Sequence, residues 1–309
     1  MRTFLRLRPV RHVLVTSAVV LVVCAVVFLV QLLEFSHAQE QLRGLTAPGT
    51  ATVVRSDDGS ATVRFPAGGT SATATIDLDG SAPKAGAQVP VRYDPARPDR
   101  AVIRDATPLV AEDRASTYAT VAVVAALAML AVDGFLLVTR FVRPGRVPAG
   151  APVPVRRVKV QRGVLTRSWL ETETATPRWI PVYFSPTLIG LPTPVKVTVH
   201  GDLRRDRHVA VSLGGEVFHP AGAVRVTEPR GRRLDNPAEP DEERALAAAR
   251  PVSLRRQFRA DLPVLVAAPV VGVFWAFVDG SGFTGWLTVT VLVAAFGFWW
   301  AALRGSDPS

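Results

Sequence analysis

The sequence predicts a membrane α+β protein: four transmembrane helices with two small all-β modules, one on each side of the membrane. Three features of the 309 residues carry that expectation. Apolar residues make up 48% of the chain and gather into four runs instead of spreading evenly. The long segments between the runs alternate with the period of two that half-buried strands require. Arginines crowd one end of each run, which is how cytoplasmic flanks of membrane helices are marked.

Residues 1–35 form a cytoplasmic N-terminus and the first span. Arg2, Arg6, Arg8 and Arg11 precede Val13–Leu33, which is apolar except for Thr16, Ser17, Cys24 and Gln31. A hydrocarbon core of ~30 Å needs about 20 such residues in a helix. Cys24 is the single cysteine, so a disulfide framework is excluded. "LVVC" has Val23 where a lipobox needs a small residue, and apolar sequence continues beyond it. The run therefore reads as an uncleaved signal anchor.

Residues 36–116 read as an extracytoplasmic β module. "TATVVRS" and "SATVRF" flank Asp57-Asp58-Gly59, a hairpin signal. "TSATATIDLDG" and "AQVPVRYDP" follow, and in the last of these Val89, Val91 and Tyr93 alternate with Pro90, Arg92 and Asp94. Asp94-Pro95 and Arg97-Pro98 are expected to stop that strand, because proline donates no ladder hydrogen bond. Residues 117–140 hold the second span, interrupted by the charge of Asp133.

Residues 141–261 read as a cytoplasmic β module. A Pro/Gly-rich linker, Arg143–Val155, leads into strand-like runs between Val153 and Pro229. "PRGRRLDNPAEPDEE" reads as a polar loop and "DEERALAAAR" as a short helix. Ser253 is placed to cap "LRRQFRADL". Residues 262–309 contain Leu262–Val278 and Trp286–Leu303, which the short segment Asp279–Gly285 folds into a helical hairpin, and a short cytoplasmic tail. Pro269 inside the third run is expected to kink it or to depend on a neighbour for its lost hydrogen bond.

Charge supports this order. Glu34–Ser116 holds 9 Lys+Arg against 11 Asp+Glu, a net of −2, and Thr139–Asp261 holds 22 against 12, a net of +10. Arg140, Arg143 and Arg146 follow the second run, Arg255, Arg256 and Arg259 precede the third, and Arg304 follows the fourth. With four spans all these flanks fall on one side. The formal charge of +10 is thus explained by topology, and no nucleic-acid partner is expected.

The opening "GTATVV" and the closing "VPVRYDPARPDRA" resemble the bacterial family known as domain of unknown function 3592. That resemblance implies a small β module between membrane helices, ended by a V-x-Y-D-P strand and a proline turn. It covers Thr50 to Ile103 and implies no activity. Tyr93 would plug the module's core, and Asp94 and Pro95 would shape its exit turn. It also implies a multi-pass protein of the bacterial plasma membrane, with both termini cytoplasmic by the arginine flanks. "VPVRYDP" and "IPVYFSP" in the inner segment are alike enough to raise a duplication.

Catalytic motifs are absent: there is no nucleophile elbow, phosphate loop, HExxH or cysteine pair. No catalytic, cofactor-binding or metal residues are therefore assigned, and no cofactor is expected. His200, His208 and His219 with Asp202 could converge on a metal, but polar strand ends are the plainer reading. Trp169, Trp179, Tyr183 and Phe184 read as core, and Trp275, Trp286, Trp299 and Trp300 as interfacial anchors. Asp133 is the intramembrane polar candidate: a charge at that depth is costly and faces a bundle interior, a partner, Arg140 or water. Arg255, Arg256 and Arg259 suit contact with anionic head groups of the lipid bilayer. The expected role is a non-enzymatic envelope scaffold or sensor whose β modules bind another membrane or envelope protein. The alternative is an accessory subunit of a transport or envelope-maintenance system.

Overall fold

The computed structural model describes residues 7–235, 243 and 254–309. Arg2, Arg6, the short helix expected at 241–250 apart from residue 243, and the Ser253 cap lie outside them. Among the described residues four helices are long and apolar enough to cross a membrane: Arg8–Leu42, Thr107–Val142, Arg255–Asp279 and Gly282–Arg304. The chain divides into two compact units, Cys24–Ala125 and Met1–Val23 with Ala126–Ser309.

The first unit is organised by a sheet of five antiparallel strands: β1 (Ala47–Asp57), β2 (Ser60–Ala67), β3 (Thr70–Asp77), β4 (Gln88–Asp94) and β5 (Arg97–Ile103). Their order is β3-β2-β1-β4-β5. Asp57 pairs with Ser60 around the expected turn, and Gly59 supplies its positive φ of 76°. The sheet curls, so that Leu78 bridges Ala106 beyond β5. Small and β-branched side chains fill the inside, with Val63, Ala51, Val53, Phe65 and Val91 all at 2% exposure or less. Leu42 and Leu109, on the helical segments flanking the sheet, pack against this core. β4 ends at Asp94, as expected, and Pro98 lies within the next strand, β5. β5 is an edge of the sheet, where a missing N–H costs no ladder bond.

The second unit holds β6 (Ala149–Arg162), β7 (Leu165–Thr172), β8 (Trp179–Val182), β9 (Val195–His200), β10 (Ala210–Leu213), β11 (Glu216–Phe218) and β12 (Arg232–Asp235). The order is β11-β10-β9-β6-β7-β8, with β12 also on β6. Two sequence readings are corrected here. The linker is largely strand, because "AGAPVPV" pairs with β9. The polar loop contains β12, whose main chain pairs with β6 while Arg233 reaches Glu171 at 2.7 Å. A strand of charged residues on an exposed surface leaves no hydrophobic alternation to read.

Both sheets place their first strand centrally and the next two strands to one side; the following two in the first sheet, and three in the second, lie to the other. The likeness between "VPVRYDP" and "IPVYFSP" does not follow that order. It matches β4, fourth in its sheet, to β8, third in its own.

The helices of the second unit are the start of α1 (Arg8–Leu42), the end of α2 (Thr107–Leu136), α3 (Leu254–Asp261), α4 (Ala267–Asp279) and α5 (Gly282–Arg304). α2 runs on into a π-helical turn, Leu137–Val142. The third span is not one kinked helix. A 3₁₀ segment, Leu262–Val266, joins α3 to α4. Pro269 therefore falls in the first turn of α4, where a helical N–H has no partner in any case. α4 and α5 pack closely at Gly272, where a Cβ would meet Thr290 and the carbonyl of Trp286.

Candidate functional site

A membrane helix with no aqueous contact makes any polar side chain a cost unless it is hydrogen-bonded. Asp133 is satisfied by two helices other than its own. Ser17 Oγ on α1 donates to Oδ2 at 2.7 Å, and Trp299 Nε1 on α5 donates to Oδ1 at 2.9 Å. The carboxylate is half-buried and borders a cavity of about 340 Å³ lined by α1, the end of α2, Tyr183 and Leu303. Apart from Ser17 and Tyr183 the rest of the lining is apolar, so the cavity joins a largely hydrophobic space to one carboxylate.

Arg140 does not reach Asp133, as one sequence reading allowed. Its guanidinium donates to Tyr183 Oη at 3.0 Å and to the carbonyl of Leu303. Tyr183 Oη in turn donates to that carbonyl at 3.1 Å. Burial pushes the Tyr183 phenol up, with Arg140 pulling the other way, so it stays protonated and able to donate. The π turn widens the end of α2 and leaves Phe141 buried, stacked on Tyr183 at 5.2 Å and near His219 at 4.9 Å.

A second polar centre joins the sheet to the end of α5. Arg157 on β6 is 2% exposed and pairs with Asp307 at 2.7 Å. The same guanidinium bonds the carbonyl of Leu188 and the hydroxyls of Ser168 and Ser309. Burial alone would raise the Asp307 carboxyl, but Arg157 and the bonds from Ser168 and Ser309 outweigh it and hold it below the usual carboxylate value. Gln257 on α3 fastens the preceding residue by bonding Ser306 O and Oγ. His12 Nε2 lies 3.2 Å from the fully buried Asp261 Oδ2.

The remaining candidates are placed as follows. Tyr93 is only half-buried; its ring lies 5.0 Å from Phe65 and covers Gly49, while Val91 is the deep residue of β4. Asp94 is buried and accepts from Ala96 N at 2.9 Å across the Pro95 turn. That bond and nearby Arg97 lower its carboxyl pKa. Arg255, Arg256 and Arg259 are exposed on α3, opposite buried Gln257. Phe258 packs edge-on against His12 and Phe298.

His200 bonds Ser212 Oγ at 2.8 Å and Asp202 caps its own loop through Arg204 N. Burial lowers the pKa of both His208 and His219. Among the described residues no group of three or more His, Cys, Asp or Glu is placed to hold a metal. Trp169 and Trp179 are core residues at 3% exposure. Trp299 is a hydrogen-bond donor to Asp133 rather than a free interfacial anchor.

Residues 47–108 match the family model described as Domain of unknown function (DUF3592). The first sheet is DUF3592-like. The match ends just past β5 and leaves the second sheet and the Asp133 site uncovered. No curated protein and no solved structure matches the chain.

Sequence reasoning found Asp133 but missed its partners. Ser17 was visible as one of few hydroxyls in an apolar run. Asp307 carried no signal, because its partner Arg157 lies 150 residues away.

Proposed function

We propose that this chain is a non-enzymatic scaffold of a bacterial plasma membrane, crossing it four times with both termini cytoplasmic and one β module on each side. The arginine flanks support that topology. So does the set of helix ends that meet at the second sheet: the start of α1 through Arg8 over Phe184, the end of α2 through Arg140, and the end of α5 through Arg304 O, which Arg167 bonds at 2.6 Å. The start of the third span joins them through Gln257 and Ser306. Those are the ends that four alternating spans bring to one side.

The role as a scaffold rests on one observation above the others, the buried pair Arg157–Asp307. A module tethered only by a linker would move freely. This one is joined to the last helix by charge and hydrogen bonds at a site closed to water, so a protein held by the sheet is held rigidly to the spans. The non-enzymatic reading rests on the sequence, which carries no catalytic motif. Cross-linking in native membranes with a photoreactive residue at Val217, an exposed position on β11, tests it. A defined protein adduct supports a scaffold. Adducts to lipid alone, at this and other exposed positions of the second sheet, argue against one.

A second reading, an accessory subunit of a transport system, is favoured by the cavity beside Asp133. It requires the charge, so Asp133→Asn should abolish the supported transport while leaving the protein folded.

A further inference from the structure

We propose that the arginine cluster between the second sheet and the end of α5 binds the phosphate of an anionic phospholipid head group. Arg162, Arg167, Arg225, Arg230 and Arg304 surround a cavity of about 50 Å³ walled by Trp169 and Trp300. The space admits one small polar group, not a whole molecule. Five cations around one space repel one another, and an anion between them relieves that repulsion. Among the described residues none of the five makes an ion pair. On the same sheet Arg156, Arg157 and Arg233 have carboxylate partners, whereas the five around the cavity have none among the described residues.

Three of the five, Arg167, Arg225 and Arg304, are held in place before any ligand arrives. Arg167 donates to Arg304 O at 2.6 Å and to Ala221 O at 3.0 Å. Arg167 and Arg225 lie over the Trp169 ring at 5.0 and 5.5 Å, and Arg304 over Trp300 at 5.4 Å. Planar guanidinium groups fixed by stacking suit phosphate oxygens, which they bond in a fork. Burial, then the charges of Arg304 and Arg140, push the Arg167 guanidinium down to about 9, so an arriving anion would strengthen its charged form.

A free phosphate compound offers the same chemistry, but the position favours lipid. Arg304 closes the apolar run of α5, and Trp300 is exposed one turn earlier, the height at which tryptophan and arginine meet head groups. Val164 and Val226, next to the lining residues Leu165 and Arg225, are 49% and 68% exposed. Apolar side chains beside a cationic site suit a membrane surface better than bulk water. The inference depends on the membrane placement but not on the scaffold role.

The test uses the full chain purified in mild detergent, with native mass spectrometry reading bound phosphatidylglycerol against phosphatidylcholine. The parent should retain phosphatidylglycerol preferentially. Arg162→Gln/Arg225→Gln/Arg230→Gln should lower that retention by about fivefold per charge removed. Arg230→Gln alone, at an exposed side chain, gives the same reading should the triple variant fail to fold. Arg204→Gln/Arg205→Gln, at exposed positions of the loop after β9 and away from the cavity, should leave it unchanged. Equal retention by parent and cluster variants, or equal loss in the Arg204→Gln/Arg205→Gln variant, overturns the site. Displacement by millimolar inorganic phosphate overturns the lipid assignment in favour of a soluble phosphate ligand. Extraction of the parent from membranes by alkaline carbonate would instead overturn the membrane reading itself.

Discussion

Asp133 shows how a costly residue is accommodated one bond at a time. Its two oxygens take one donor each, from Ser17 and Trp299. Asp133→Asn keeps the shape, and the amide oxygen still accepts from one donor while the Ser17 hydroxyl can rotate to accept from the new N–H. Its melting temperature in detergent should equal or exceed the parent's. Asp133→Leu removes both acceptors and leaves the Trp299 indole unpaired, so it should lose about 1–2 kcal/mol. A collapse of the Asn variant would mean that the negative charge itself is required. The sequence located this aspartate because an acid is conspicuous in an apolar run. It could not supply the donors, since Trp299 lies 166 residues away, and amphipathic tryptophan near a span end reads first as an interfacial anchor. Asp94 and Pro95 were legible for the opposite reason: a turn is local, and both residues act within four positions of one another.

Elements were read well where their pattern is periodic and poorly where it is not. Alternation placed β1 to β4, and apolar length placed all four helices. β12 and the start of β6 were missed because main-chain pairing holds them on exposed surfaces of charged, proline-rich or small residues. Register also decides energetics. The family resemblance implied that Tyr93 plugs the core, yet it is half-buried while Phe65 beneath it is 1% exposed. Phe65→Ala should therefore cost the first sheet about 3–5 kcal/mol, and Tyr93→Ala nearer 2, because part of its ring stays in water. Limited proteolysis of the two variants should rank them in that order. The reverse ranking would mean that the pairing of β4 is shifted.

At the scale of the molecule, topology and coupling are both open to measurement. Reporters at Gly80 and after Ser309 should fall on opposite faces of the membrane. Gly80 is suitable because a Cβ there meets nothing within 4 Å, whereas Gly305 is confined by Ala221 and Tyr183 and would be disrupted by a fusion. Coupling is tested at Asp307. Asp307→Ala strands a guanidinium that is 2% exposed, and removing one partner of a buried pair costs about 3–5 kcal/mol. The sign with pH follows from the carboxyl being held below its usual value. Its contribution is complete above the unfolded value of about 3.9 and is lost as pH falls through the lower folded value. The parent should thus hold its melting temperature down to about that pH and then lose the advantage it has over Asp307→Ala. If Asp307 does fasten the sheet to α5, the variant should also lose protection of the second sheet at neutral pH while α4 and α5 stay membrane-protected. Hydrogen exchange that rose equally in both would show the sheet and the spans unfolding as one body, with Asp307 a general stabiliser and not the joint.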